Sequence, residues 1–347
     1  MTRLVLRADA SGTIGAGHVS RMVAYAERAV ARGWEVVFSG RVDNAEWLAA
    51  RFGELAVPVA PSVPFDGFDV VVVDHYGLGE LREEVNRAGA LLVSVEDDVF
   101  GRRAADLVVD CGFAPAPRPD DGSGSLLRGV AYAPMRDVVR EAREKRLGRE
   151  VAERAHVTVV LGGGTEWAGT VSALLHALRD TGLPFVADVL VRGEPVVPEA
   201  LPGQEFRVQP PGPGLLDLLV ETDVAVSAAG VTLLELCCLG VPTGVVKLVD
   251  NQETGYRGAL DLGLAAGLGS AAELDVDAVE TLRTLLLDPA VRRRYSETAS
   301  SVVDGRGVDR VLDAVAGRSR TLGGHGPPDP SRNRQGRGSV ARRGFPR

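Results

Sequence analysis

His18 closes a glycine-rich run, Arg7-Ala-Asp9-Ala-Ser-Gly12-Thr-Ile-Gly15-Ala-Gly17-His18-Val-Ser-Arg21, entered by an apolar stretch from Leu4 to Leu6 and left by an amphipathic one from Val19 to Ala31. Such a turn delivers one imidazole to the start of a helix, where a neutral ring can take a proton from water. Gly15 and Gly17 let backbone N–H groups and the positive end of the helix dipole approach an anion. The plain alternative is a tight strand-to-helix connection with a solvated histidine.

Other polar groups stand where apolar runs break off. Asp74-His75-Tyr76 follows Asp69–Val73; Tyr76 can orient a substrate or brace His18, and His75 reads as structural. Asp97-Asp98 follows Leu91–Val95, but no further ligand cluster accompanies it, so a metal site there is not expected. Two more glycine turns, Gly162-Gly163-Gly164-Thr165 and Ser227-Ala-Ala-Gly230-Val231-Thr232, can present N–H groups and a hydroxyl to a diphosphate, or serve as ordinary turns. Glu235 lies one helical turn beyond Thr232, within reach of a ribose diol near the helix start. Asn251-Gln252 carries amides that can both donate to and accept from sugar hydroxyls, or form a solvated turn. Neither a GxxxxGK[ST] loop, nor GxGxxG with its ribose-binding acid, nor a GxSxG elbow is present, which removes most support for NTP hydrolysis, dinucleotide redox chemistry and serine hydrolysis.

The elements that must position these groups follow from the alternation of apolar runs and helical patterns. Strands are expected at Leu4–Leu6, Trp34–Phe38, Leu55–Val59, Asp69–Val73, Leu91–Val95 and Leu107–Val109, and helices at Val19–Ala31, Ala45–Phe52 and Gly79–Ala88. Continuous valine runs belong to parallel strands covered on both faces, so the architecture is a doubly wound sheet with ligands at the carboxyl ends of its strands. Pro115–Ser125 reads as a surface loop. The alternation restarts at His156–Leu161 and continues through Ala168–Asp180, Val186–Val191, Phe206–Val208, Gly214–Glu221, Asp223–Ser227, Val231–Leu239 and Val241–Leu248, closed by helices to Ala316. This gives an α/β chain with an N-terminal Rossmann-like domain (1–135), a charged connecting helix (136–153), a second, nucleotide-binding Rossmann-like domain (154–317) and a basic tail (318–347). The two domains are expected to face each other across a cleft.

The chain has 347 residues, 45% of them hydrophobic and 25% charged, with a mean hydropathy of +0.05. These values fit a globular protein. No apolar run reaches a membrane-spanning length and no leader pattern is visible, so the expectation is a cytoplasmic protein without a membrane partner. The net charge of −8 is uneven, because the tail carries eight arginines and one acid. That leaves the rest of the chain acidic, so nucleic acid is not an expected partner, although the tail can touch polyanions. Cys111, Cys237 and Cys238 have no metal or disulfide spacing and read as small buried hydrophobes.

Taken together, Ile14-Gly15-Ala-Gly17-His18…Arg21, Val73-Asp74-His75-Tyr76-Gly-Leu78, Asp97-Asp98, Leu127-Arg-Gly129…Tyr132, Gly162-Gly-Gly, Ser227-Ala-Ala-Gly230…Thr232…Glu235, Gly240-Val-Pro242 and Asn251-Gln252 form a set. The set resembles the UDP-2,4-diacetamido-2,4,6-trideoxy-beta-L-altropyranose hydrolases of pseudaminic acid biosynthesis and their spore coat polysaccharide relatives. The resemblance implies a GT-B type fold and inverting hydrolysis of the anomeric C–O bond of a UDP-sugar, with release of UDP and no cofactor or metal. It implies His18 as the water-activating base, Tyr76 and Asn251 at the sugar, and the glycine turns with Glu235 around the UDP. Gly15, Gly17, Arg21, Asp74, Gly163, Gly164, Thr165, Gly230, Val231, Thr232 and Gln252 complete the expected substrate site. The alternative is a GT-B glycosyltransferase, in which an acceptor hydroxyl replaces the water and the same histidine serves as base. This chain departs from the family pattern at Val231, usually a serine, at Glu166, usually an aspartate, and at Val99-Phe100, usually smaller residues.

Overall fold

The computed structural model describes residues 1–12, 14–146, 154–162, 167–212, 214–272, 274 and 276–323. The first sheet is built from β1 (Arg3–Arg7), β2 (Glu35–Ser39), β3 (Val59–Ala60), β4 (Val70–Val73), β5 (Leu91–Glu96), β6 (Leu107–Asp110) and β7 (Ser125–Arg128), all parallel, in the order 3-2-1-4-5-6-7. Helices α1 (Gly17–Ala31), α2 (Glu46–Glu54) and α3 (Arg82–Arg87) cross between its early strands. β4 is four valines buried on both faces, each contributing about 1.5–3 kcal/mol of burial. Leu4, Leu6, Val70 and Val72 face α1 in one core layer, while Val5, Val71 and Val73 face Val85 and Leu92 in the other.

After α4 (Asp137–Arg146) the second sheet takes β8 (Ala155–Val160), β9 (Phe185–Leu190), β10 (Gln204–Gln209), β11 (Val224–Ala228), β12 (Thr243–Lys247) and β13 (Ala266–Ser270), again parallel, in the order 10-9-8-11-12-13. Its helices are α5 (Ala168–Asp180), α6 (Leu215–Glu221), α7 (Val231–Leu239), α8 (Glu253–Asp261), α9 (Val276–Leu287) and α10 (Pro289–Val302). Gly240 ends α7 in a left-handed conformation, φ 67°. The three cysteines are free and buried.

Several elements differ from expectation. The strand expected at Leu55–Val59 is the two-residue β3, because Val57 turns into the core beneath α2. The weak Phe206–Val208 extends to a six-residue strand. Short β7 and glycine-rich β13 (Ala-Gly-Leu-Gly-Ser) join the ladders without a readable pattern. The last helix, α11 (Gly307–Gly323), enters the stretch expected to be tail and packs on the first sheet's domain, where Val308, Val311, Leu312 and Val315 complete the core beside α1. Its spacing marks an apolar face without saying which sheet the face will meet. Conversely, α4 lies on the second domain, with Val139 and Ala142 against Leu219 and Leu236. Residues 147–153 of the expected connector and 324–347 of the tail lie outside the described residues.

The chain therefore crosses between domains twice, and the crossings touch. A Cβ on Gly307 would stand 2.3 Å from the Ala133 carbonyl oxygen, so only glycine fits, and Arg310 donates to the carbonyl of Ala131. Among the described residues, no helix is long and apolar enough to cross a membrane.

Candidate functional site

In each sheet the strand order reverses at one place, between β1 and β4 in the first and between β8 and β11 in the second. Crevices at such points are where open parallel sheets receive ligands. His18 follows β1, in the first turn of α1, and Asp74 follows β4 directly, so two residues 56 positions apart meet at the first crevice. His18 Nδ1 lies 2.6 Å from Asp74 Oδ1, while Arg21 reaches the same carboxylate through Nε at 2.6 Å and Nη2 at 3.0 Å. Burial alone would raise the Asp74 carboxyl, but the Arg21 guanidinium and the His18 contact outweigh it and hold the group below the usual carboxylate range. An ionised Asp74 at 2.6 Å accepts the hydrogen bond of His18 Nδ1–H, so Arg21 Nη2, 2.9 Å from that nitrogen, donates to Asp74 instead, and Nε2, with no hydrogen-bond partner among the described residues, is the nitrogen left with a lone pair. Arg21 and Asp74, expected at the substrate, both hold the histidine, their side chains 11% and 1% exposed.

Tyr76 stands edge-on to His18, ring centroids 4.4 Å apart. Its hydroxyl donates to Asp97 at 2.7 Å, and burial together with that carboxylate pushes the phenol up, so it stays protonated. His75 accepts from the Gly77 N–H and contacts Asp9 at 3.1 Å, tying this turn to the β1 loop as a structural residue. Burial, then the charge of Arg7, pushes the His75 ring down. Asp98 accepts from the Ala116 N–H at 3.0 Å. No group of three or more His, Cys, Asp or Glu among the described residues is placed to hold a metal ion. Sequence reasoning missed Arg103, a 1% exposed residue whose guanidinium binds Ser94 Oγ and the carbonyls of His75 and Leu78, bracketing Tyr76. No local pattern marks it.

Across the cleft, α7 starts at Val231, and a Cβ on Gly17 would stand 3.9 Å from Val231 Cγ2. The N-terminal ends of α1 and α7 thus approach each other, with Gly230 and Val231 exposed and Thr232 half-buried. Gly15 caps the tight turn before α1, its N–H donating to the Ser11 carbonyl at 2.8 Å. Glu235, expected at a ribose, is ion-paired with Arg136 at 3.0 Å, and Arg136 lies over the Trp47 ring at 5.0 Å. Gln252 follows β12, and its Oε1 accepts from the Leu248 N–H at 3.0 Å. Gly163, Gly164, Thr165, Glu166 and the side chain of Asn251 lie outside the described residues.

Two parallel-sheet Rossmann-like domains closing on one cleft make this a GT-B fold. No family model matches the chain. Among solved structures, MurG of Acinetobacter baumannii is similar over 91% of this chain and 100% of its own, with TM-score 0.62 and 17% identity. The glycotransferase of kitacinnamycin is similar over 92% and 98%, with TM-score 0.59 and 16% identity. Among curated proteins, the spore coat polysaccharide biosynthesis protein SpsG of Bacillus subtilis (strain 168) is 28% identical over 95 residues, 27% of this chain. That match spans 28% of SpsG's own length.

Proposed function

We propose that this protein breaks the anomeric C–O bond of a nucleotide-activated sugar, UDP-linked in the first instance, and passes the glycosyl group to an acceptor hydroxyl with inversion. The observation that carries this is the His18–Asp74–Arg21 arrangement: a buried, ionised carboxylate fixes the Nδ1–H tautomer and leaves Nε2 to deprotonate an oxygen nucleophile. A nucleoside diphosphate is a good leaving group, so the protein has chiefly to align the nucleophile and stabilise charge growing on the diphosphate. The facing N-termini of α1 and α7 suit that charge. Gly230, Val231 and Thr232, together with Gly163, Gly164 and Thr165, are assigned to the diphosphate, Glu235 to the ribose, and Asn251, Gln252 and Tyr76 to the sugar. The similar structures support this reading: MurG and the glycotransferase of kitacinnamycin share the fold.

Water as the nucleophile is the second reading, favoured by the motif set around Gly15-Ala-Gly17-His18 and Asn251-Gln252. A panel of UDP-, CMP-, dTDP- and GDP-sugars, with nucleotide release measured in the presence and absence of acceptors and product stereochemistry followed by NMR, separates the two. Release in water alone supports hydrolysis, and release that rises steeply with acceptor supports transfer. His18→Ala is expected to slow either by about 10²–10⁴-fold. An unchanged rate in that variant would refute both.

A further inference from the structure

We infer that Val99 and Phe100, continuing outward from Tyr76, form the wall of an acceptor subsite, and that the acceptor is an uncharged alcohol or phenol carried on an apolar ring. The inference rests on the reading of His18 as the base that activates an acceptor.

The wall sits on a built turn. Asp97 and Phe100 exchange two backbone hydrogen bonds, at 3.1 and 2.9 Å, and Asp98 between them is held at φ 56°. Aspartate is among the few non-glycine residues that adopt this left-handed conformation readily, because its short side chain bonds nearby backbone. Here the Ala116 N–H donates to Asp98 Oδ1 at 3.0 Å, and Arg102 donates to the Asp98 carbonyl at 2.8 Å while also binding the carbonyls of Ala116 and Pro117. The pinned turn presents large apolar side chains to solvent, Val99 at 53% and Phe100 at 46% exposure, beside Tyr76 at 45%. The Tyr76 and Phe100 centroids are 5.5 Å apart, and Tyr76 touches His18, so one apolar surface runs outward from the base.

Placing a water molecule needs none of this surface, whereas a ring stacked on it would bring its own hydroxyl toward Nε2. Asp97 and Asp98 border the wall, while Arg102 is bound to the Asp98, Ala116 and Pro117 carbonyls and Arg103 and Arg21 lie largely buried on their own partners, which does not favour an anion. In the transfer step the acceptor O–H gives its proton to His18 Nε2 and its oxygen bonds the anomeric carbon. The C–O bond to the diphosphate breaks, its electron pair leaving with the nucleotide.

The test uses 2-naphthol as the apolar acceptor and methyl N-acetylglucosaminide as the polar one, with whichever nucleotide sugar is turned over. The expected result is that 2-naphthol accelerates nucleotide release and is recovered glycosylated by mass spectrometry. Phe100→Ala should raise its KM about five- to tenfold with a smaller change in kcat, and Phe100→Tyr should restore it. Acceleration by methyl N-acetylglucosaminide alone, or an unmoved KM in Phe100→Ala, would overturn the inference. If no nucleotide sugar is turned over, the functional reading itself fails, and quenching of 2-naphthol fluorescence on titration still decides this point. A Kd weakened by the same factor in a Phe100→Ala protein with native circular dichroism supports the wall, and an equal Kd removes it.

Discussion

At the scale of single residues, the site depends on charges that touch no substrate. Asp74 and Arg21 position His18, so Asp74→Asn is expected to lower turnover by about 10²–10⁴-fold, because an amide can donate to Nδ1 and select the wrong tautomer. A pH–rate profile tests the role: the substitution should move the acidic limb, on which a general base is lost to protonation, whereas a purely structural effect would lower the rate evenly. The same depressed carboxylates shape acid stability. A carboxyl held low in the fold stabilises it above its ordinary pKa of 3.8 and loses that contribution as pH falls through the folded value. For Asp9, held at about 2 by Arg7 and the Arg41 N–H against the opposing effect of burial, the loss falls between about pH 4 and about pH 2. Urea midpoints of the wild type should drop across that window, and those of Asp9→Asn should drop less.

At the scale of elements, the strand ends under the site tolerate little. Gly40 ends β2 at φ 153°, and a Cβ there would lie 1.7 Å from the Ala8 carbonyl oxygen. Gly40→Ala is expected to cost about 3 kcal/mol or more, measured by urea unfolding, through strain in the loop that carries His18. Elements with internal periodicity or clear punctuation were readable from sequence: α7 between Gly230 and Gly240, the valines of β4, and α5. β7 and β13 were not, since the four residues Ser-Leu-Leu-Arg and the glycine-interrupted Ala-Gly-Leu-Gly-Ser carry no alternation and become strands only because a neighbouring ladder has an open edge. Likewise His18, Tyr76 and the turn glycines were visible as local motifs, while the Asp74–Arg21 support, the Glu235–Arg136 pair and Arg103 depend on approaches between residues 25 to 99 positions apart.

At the scale of the molecule, two touching crossings join the domains, and the exchange of helices is anchored by charge as well as by packing. Arg28 and Arg32 of the α1 region bind Asp309, Arg32 also reaches Asp313, and the buried Glu27 accepts from the Asp137 N–H at the start of α4. Leu312→Ala removes a 0% exposed side chain from the shared face and is expected to cost about 2–5 kcal/mol in a denaturant melt. A near-neutral result would show that α11 is not part of the first domain's core. The return of α11 also bears on how the chain is made. Residues 1–135 leave the ribosome before the second domain, yet their core keeps an open face until Val308, Val311, Leu312 and Val315 emerge, so of these two domains the one made earlier is completed later and the nascent chain must shelter an apolar surface throughout synthesis of the second.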